Sequence, residues 1–291
     1  MEDSSGQSAG DTQVDALRES LYRETRLLDA LIHHLANGDG ASQRTDPDVG
    51  RITVLMLQAL GVSLHSVLRL TEARDMAIRD AYGIARSASE LAVNICYIAV
   101  EGGEAARRAE RHALQKSYRD LHRVGAIGGI AFELSAGEQP DLDRVPGLAD
   151  ALAEFTGRKG QEITDWTPLN ISSRIEAVAK AHPLAALALS GSTISIYRHA
   201  SELLHGTYFS IVHFWSGSGT PATTREVFNA RWEEHFTSIF TAAFFGAQAT
   251  IDVFAALFEV PDLADAQRRL MLDVNKLIAG EQLCENAEQG E

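Results

Sequence analysis

Arg198 and His205 stand seven positions apart in the string Tyr197-Arg198-His199-Ala200-Ser201-Glu202-Leu203-Leu204-His205. On a helix, seven residues make two turns and return to within about 20° of the starting direction, so guanidinium and imidazole share a face. Glu202 falls between them and Ser201 borders the stripe. Ile196, Ala200, Leu203 and Leu204 point the other way and offer an apolar anchor. Such a pair could cut a phosphodiester without a metal. Histidine removes the proton from a ribose hydroxyl or protonates a leaving oxygen, and arginine grips the phosphate and its developing charge. The same spacing also describes the polar face of an ordinary amphipathic helix, with Arg198 and Glu202 as a salt bridge four residues apart.

A second group lies upstream. Arg86, Glu90 and Tyr97 share one helical face, opposite Ala88, Leu91, Ala92, Ile95 and Ala99. They read either as a register-fixing ion pair or as lining for the pocket of Arg198 and His205, with Glu90 orienting the imidazole. Glu202-x-x-His205 is half of a carboxylate-bridged dimetal motif, but no second Glu-x-x-His accompanies it. Arg107 and His112 repeat the arginine-to-histidine spacing at five residues, about 140° around a helix, which is poorer shared-face geometry. His33 and His34 diverge by about 100°, and His65, His182, His213 and His235 lack chelating spacing, so they read as core or boundary residues. No Gly-x-Gly-x-x-Gly, Walker-type loop or Gly-x-Ser-x-Gly elbow occurs.

Arg198, the polar His199 and His205 resemble the motif of the HEPN superfamily, helical domains named for higher eukaryotes and prokaryotes nucleotide-binding. More specifically, Tyr197-Arg198-x-x-Ser201-x-x-x-His205 is similar to the string of a bacterial helical family known as domain of unknown function 5677. Arg86-x-x-x-Glu90, Trp166 and the helical pair after it extend the resemblance over roughly residues 50 to 215. The resemblance implies metal-independent RNA cleavage without a cofactor, in phage defence or toxin-like control. Arg198 would bind the scissile phosphate, His205 would act as general acid or base, and His199 would be an auxiliary polar contact. Tyr197, Ser201, Glu202, Arg86 and Glu90 would support them. Because the chain carries one clear copy of the motif, the resemblance also implies a homodimer. A non-catalytic helical protein that binds a partner or small anion on the same face, and a metal-binding bundle using Glu202 and His205, remain the other readings.

The elements that must position these residues are helices. Apolar residues recur at three and four positions almost throughout, and no run of alternating β-branched residues is evident, so the spacing predicts an all-α antiparallel bundle with long helices. Helices are expected over Val14 to Ala36, Val49 to Ala81 with Pro47 in the first turn, Tyr82 to Val100 and the basic segment Glu104 to Arg123. They continue over Ser172 to Ala181, Leu184 to Leu189, Thr193 to Phe214, Thr223 to Glu259 and Leu263 to Ile278. Loops are expected at Asn37 to Gly40, Gly137 to Gly147, Gly157 to Pro168 and Ser216 to Pro221. Residues 13–280 read as one helical domain between a disordered N-terminus, 1–12, and an acidic disordered tail, 281–291. The helix from Thr223 carries Phe228, Trp232, Phe236, Phe240, Phe244 and Phe254, too many aromatics for one face, which suits a homodimer interface or a central core helix.

Composition bounds the rest. The chain has 291 residues, with 26 Lys plus Arg against 40 Asp plus Glu, for a net charge of −14. That charge opposes broad adhesion to nucleic acid or anionic membrane, so RNA contact has to be local, and a basic regulatory protein would suit the surface. The densest basic run, Arg107 to Arg123, is the one local anion-binding candidate, or else a solvated face balanced by acids. Two distant cysteines, Cys96 and Cys284, and no basic-then-apolar leader fit a cytoplasmic protein. The least charged stretches fall short of about 20 uninterrupted apolar residues, so no membrane span is expected.

Overall fold

The computed structural model describes residues 9–37, 45–216 and 225–279. The acidic tail, residues 1–8 and most of the two loops at Asn37 to Gly40 and Ser216 to Pro221 lie outside them, whereas Ala9 to Thr12, expected within the disordered N-terminus, already belong to the first helix. In chain order the helices are α1 (Ala9–Ala36), α2 (Pro47–Leu70), α3 (Ile78–Glu101), α4 (Gly103–Asp120), α5 (Leu148–Glu154), α6 (Ile171–Ala181), α7 (Pro183–His205), α8 (Tyr208–Ser216), α9 (Arg225–Leu257) and α10 (Pro261–Ala279). Between α4 and α5 stand two antiparallel strands, β1 (His122–Ile127) and β2 (Ile130–Ser135), and a 3-10 turn at Leu142–Arg144. The protein is thus mostly helical, but not purely so.

The hairpin corrects the all-helical expectation. Its turn is Gly128-Gly129, with φ of 60° and 83°, the two left-handed positions a tight hairpin turn demands and glycine supplies without steric cost. Ile127 pairs with Ile130 across it, and the Phe132 ring lies over Gly125, where a Cβ would come within 2.7 Å. The Glu104 to Arg123 helix therefore ends three residues early, at Asp120.

Side-chain caps fix the starts of α2 and α6. Asp46 accepts the Asp48 amide at 3.0 Å ahead of Pro47, and Asn170 accepts the Ser173 amide at 2.9 Å at the start of α6. The helix expected from Val49 to Ala81 instead breaks after Leu70. Thr71 turns back on Val67 through its amide and hydroxyl, and Asp75 caps the Ala77 amide at 2.8 Å, so α3 begins at Ile78. No Gly or Pro marks that break. The two segments expected at Leu184 and Thr193 fuse into α7, which stops at Gly206, left-handed at φ 64°. That glycine separates α8 from α7, where one helix to Phe214 was expected.

The buried residues form one main cluster from Val14 to Val274, with a smaller one at Val49, Ile98 and Ala106. At its centre α9 is packed by α1, α3 and α7. Phe228, Trp232, Phe236, Phe240, Phe244 and Phe254 are all buried within the one chain, so the aromatic helix serves as the core and not as an exposed interface. Where α3, α7 and α9 meet, Ser192 donates to the Ala242 carbonyl at 2.7 Å and accepts from the Ser89 hydroxyl at 2.9 Å, and Gly246 leaves room for it. Pro47–Leu70 and Arg231–Leu257 are long and apolar enough to cross a membrane by composition, though 78% of the latter's most apolar window is buried inside the protein.

Candidate functional site

Helix α7 holds Tyr197 to His205 as a rigid rod, anchored by Ile196, Ala200 and Leu203, all buried. Leu204, expected in the core, is exposed, and its side chain lies over Gly83 of α3. Arg198 and His205 both face solvent, two turns apart. Among the described residues neither forms a hydrogen bond or ion pair. Arg198 instead places its guanidinium 5.8 Å from the Phe209 ring centre, which α8 delivers after the Gly206 turn. Tyr208 beside it is 83% exposed. The arrangement is a free cation, a free imidazole and uncovered aromatic rings on one surface, a combination able to hold a phosphate and stack a base.

The expected Arg198–Glu202 pair is not made. Glu202 accepts the Thr207 hydroxyl at 2.6 Å and so ties down the turn after α7, leaving Arg198 unneutralised. Ser201 is half-buried on the flank.

His199 differs from His205. Its ring stacks on His213 of α8 at 4.1 Å, and its Nδ1 is buried with no partner among the described residues. Burial, with the Arg198 charge adding to it, lowers its pKa and favours the neutral ring. His213 is in turn edge-on to His235 of α9 at 5.6 Å, and His235 links the Tyr82 hydroxyl at 2.7 Å to the Phe214 carbonyl at 2.9 Å. Burial lowers the His235 pKa as well. Three histidines far apart in sequence thus converge behind the α7 face. Nothing in their spacing announced it, because three different helices bring them together.

Arg86 and Glu90 form their expected i, i+4 pair at 3.0 Å, and Arg86 lies 4.4 Å from the Tyr197 ring centre. The structure therefore brings Tyr197, Arg86 and Glu90 together but keeps them from His205. Ser89 sits opposite Thr193 at 3.5 Å, twelve residues before His205, or about 18 Å along the helix. Glu90 cannot orient that imidazole. Tyr97 packs edge-on against Trp166 at 5.8 Å instead of joining the site. Two residues complete the Glu90 cluster that the sequence did not flag: Arg174 of α6 donates to Asn94, and burial holds its guanidinium below the usual range. The Arg86, Glu90, Asn94 ladder, each four residues on, was the available signal.

The basic run on α4 is neutralised. Arg107 bonds Asp46 and Asp48 at 3.1 Å each, Arg108 and Arg111 share Glu154, and Lys116 meets Glu162 at 3.1 Å. His112 reaches the Thr164 carbonyl at 3.0 Å, away from Arg107. Among the described residues no group of three His, Cys, Asp or Glu is arranged to hold a metal ion.

Compared with known protein families, curated proteins and solved structures, the chain matches none.

Proposed function

We propose that this chain is a metal-independent endoribonuclease of HEPN type, working in the cytoplasm in phage defence or toxin-like control. The observation that carries the reading is the pair Arg198 and His205, exposed on one face of a rigid helix and without a hydrogen bond or ion pair among the described residues. Unpaired cations on an acidic protein cost solubility nothing, yet α4 shows how readily this chain neutralises them, so a bare pair beside open aromatics suits a phosphate ligand.

The chemistry follows from the groups present. Arg198 holds the scissile phosphate and stabilises its extra negative charge as the ribose 2′-oxygen attacks phosphorus. The 2′-hydroxyl proton passes to an imidazole, the bond to the 5′-oxygen breaks, and a protonated imidazole returns a proton to that oxygen. The products are a 2′,3′-cyclic phosphate and a 5′-hydroxyl. One His205 performs one of these transfers, so a second copy supplies the other. The outer face of α7 offers the seam: Leu184, Leu187, Gly191, Ile194, Arg198, Ser201 and His205 recur at alternating steps of three and four. Leu184, Leu187 and Ile194 are 76%, 70% and 80% exposed, and a Cβ on Gly191 would meet nothing, leaving room for a neighbouring helix. A basic regulatory protein fits the net charge of −14.

The second reading, a non-catalytic binding protein for a partner or small anion, is favoured by the apolar rings exposed next to Arg198. Incubating the chain with RNA in chelator separates the two. Cleavage lost in Arg198→Ala and His205→Ala supports the nuclease. RNA retention without cleavage supports the binding protein.

A further inference from the structure

Helices α1 and α10 enclose a groove of about 580 Å3 on the molecular surface, within the size range of small-molecule sites. Arg23 and Arg26 line it from α1, and Arg269 and Lys276 from α10, against a single acid, Asp273. Three residues separate the α1 pair and seven the α10 pair, so each pair lies on one helical face, with the α10 cations about 10 Å apart along the axis. Leu27 and Leu270 supply an apolar floor.

The charges here are not balanced as they are on α4. Arg23 takes Asp273 at 3.1 Å, and Arg26 is 3.7 Å from Asp29, which His65 also approaches at 3.3 Å. Arg269 and Lys276 have no carboxylate partner among the described residues. Glu24 of α1, fully buried, accepts from Gln267 of α10 at 3.0 Å, and burial holds its carboxyl well above the usual range. In a chain with 40 acids to 26 bases, two of the four cations on this groove, Arg269 and Lys276, are left without a carboxylate among the described residues.

We propose that this groove binds a small molecule carrying two or more adjacent phosphates. A lone carboxylate would compensate only one of the two unpartnered cations, whereas a di- or triphosphate supplies several negative charges over a length the α10 pair spans. Arginines present paired donors that match phosphate oxygens, and the leucine floor suits the organic part of a nucleotide. None of the lining residues lies on α7 or α8, so the proposal stands apart from the nuclease reading.

Titration calorimetry of the full chain with inorganic tripolyphosphate, ATP and adenosine tests it, with a short single-stranded RNA as a fourth titrant. Tripolyphosphate and ATP should bind, more weakly as salt rises, and adenosine should not. Tighter binding of ATP identifies a nucleotide site; equal binding identifies a polyphosphate site. The double variant Arg269→Gln/Lys276→Gln should weaken binding by at least about tenfold. Both residues are exposed, so its melting temperature should match the wild type, and Arg144→Gln, on the 3-10 turn, should bind as the wild type does. No heat with either phosphate, equal binding by the double variant, or binding of the RNA alone would overturn the proposal.

Discussion

His199 and His205 belong to one helix and have opposite surroundings. His205 is solvent-facing with no partner among the described residues, so His205→Ala should change stability by less than about 0.5 kcal/mol. His199 is stacked on His213, and His199→Ala should cost about 1 kcal/mol in urea melts. Equal losses from both would remove the distinction between an exposed ring and a packed one. A pH test belongs at Asp252, whose carboxyl burial pushes up from 3.8 to about 6, with Gln248 donating to it. A raised folded value means the neutral acid is what folding favours. Its contribution is complete below the unfolded value near 3.8 and is lost as pH rises through about 6. Asp252→Asn, neutral at every pH, should therefore gain about 3 kcal/mol on the wild type at pH 8, and that gain should vanish below about pH 3. A difference that does not vary with pH would contradict the buried-charge explanation. At this scale the sequence showed which side chains share a face of one helix, as with Arg198 and His205 or Arg86 and Glu90. It did not show which groups another helix brings up, so the His199, His213, His235 stack and the Arg174 to Asn94 contact were invisible.

Helix α9 organises the elements. Phe244→Ala should destabilise the protein by about 3 to 5 kcal/mol, because the ring is fully buried and stacked on Phe240 at 5.1 Å. A loss below about 1 kcal/mol in the same urea melts would mean that α9 is not the packed centre. Gly206 is the element-scale switch for the site. Its φ of 64° ends α7 and aims α8 so that Phe209 underlies Arg198, a conformation a Cβ disfavours by about 1 kcal/mol or more. Helical periodicity and caps located most of the helices, including the end of α3 to within one residue of Val100 and the start of α2 at Pro47. They failed where punctuation was unusual. Thr71 to Ala77 breaks a helix without Gly or Pro, and Gly128-Gly129 makes a hairpin between runs too mixed to alternate cleanly.

For the whole molecule, the charge of −14 and the outward stripe of α7 pull in different directions, solubility against self-association. Leu187→Glu with Ile194→Glu, both at exposed positions, should leave the fold intact, halve the particle mass to the 31.6 kDa of one chain in light scattering, and abolish RNA cleavage. A wild type that is already monomeric and still cleaves would exclude the shared α7 seam. The most direct measurement is RNA cleavage in chelator by the purified wild type, Arg198→Ala and His205→Ala, with melting temperatures recorded alongside. Cleavage by the wild type alone, at equal stability of all three, is the result expected. Cleavage that survives both substitutions, or none by any form, would contradict a catalytic role for the α7 pair.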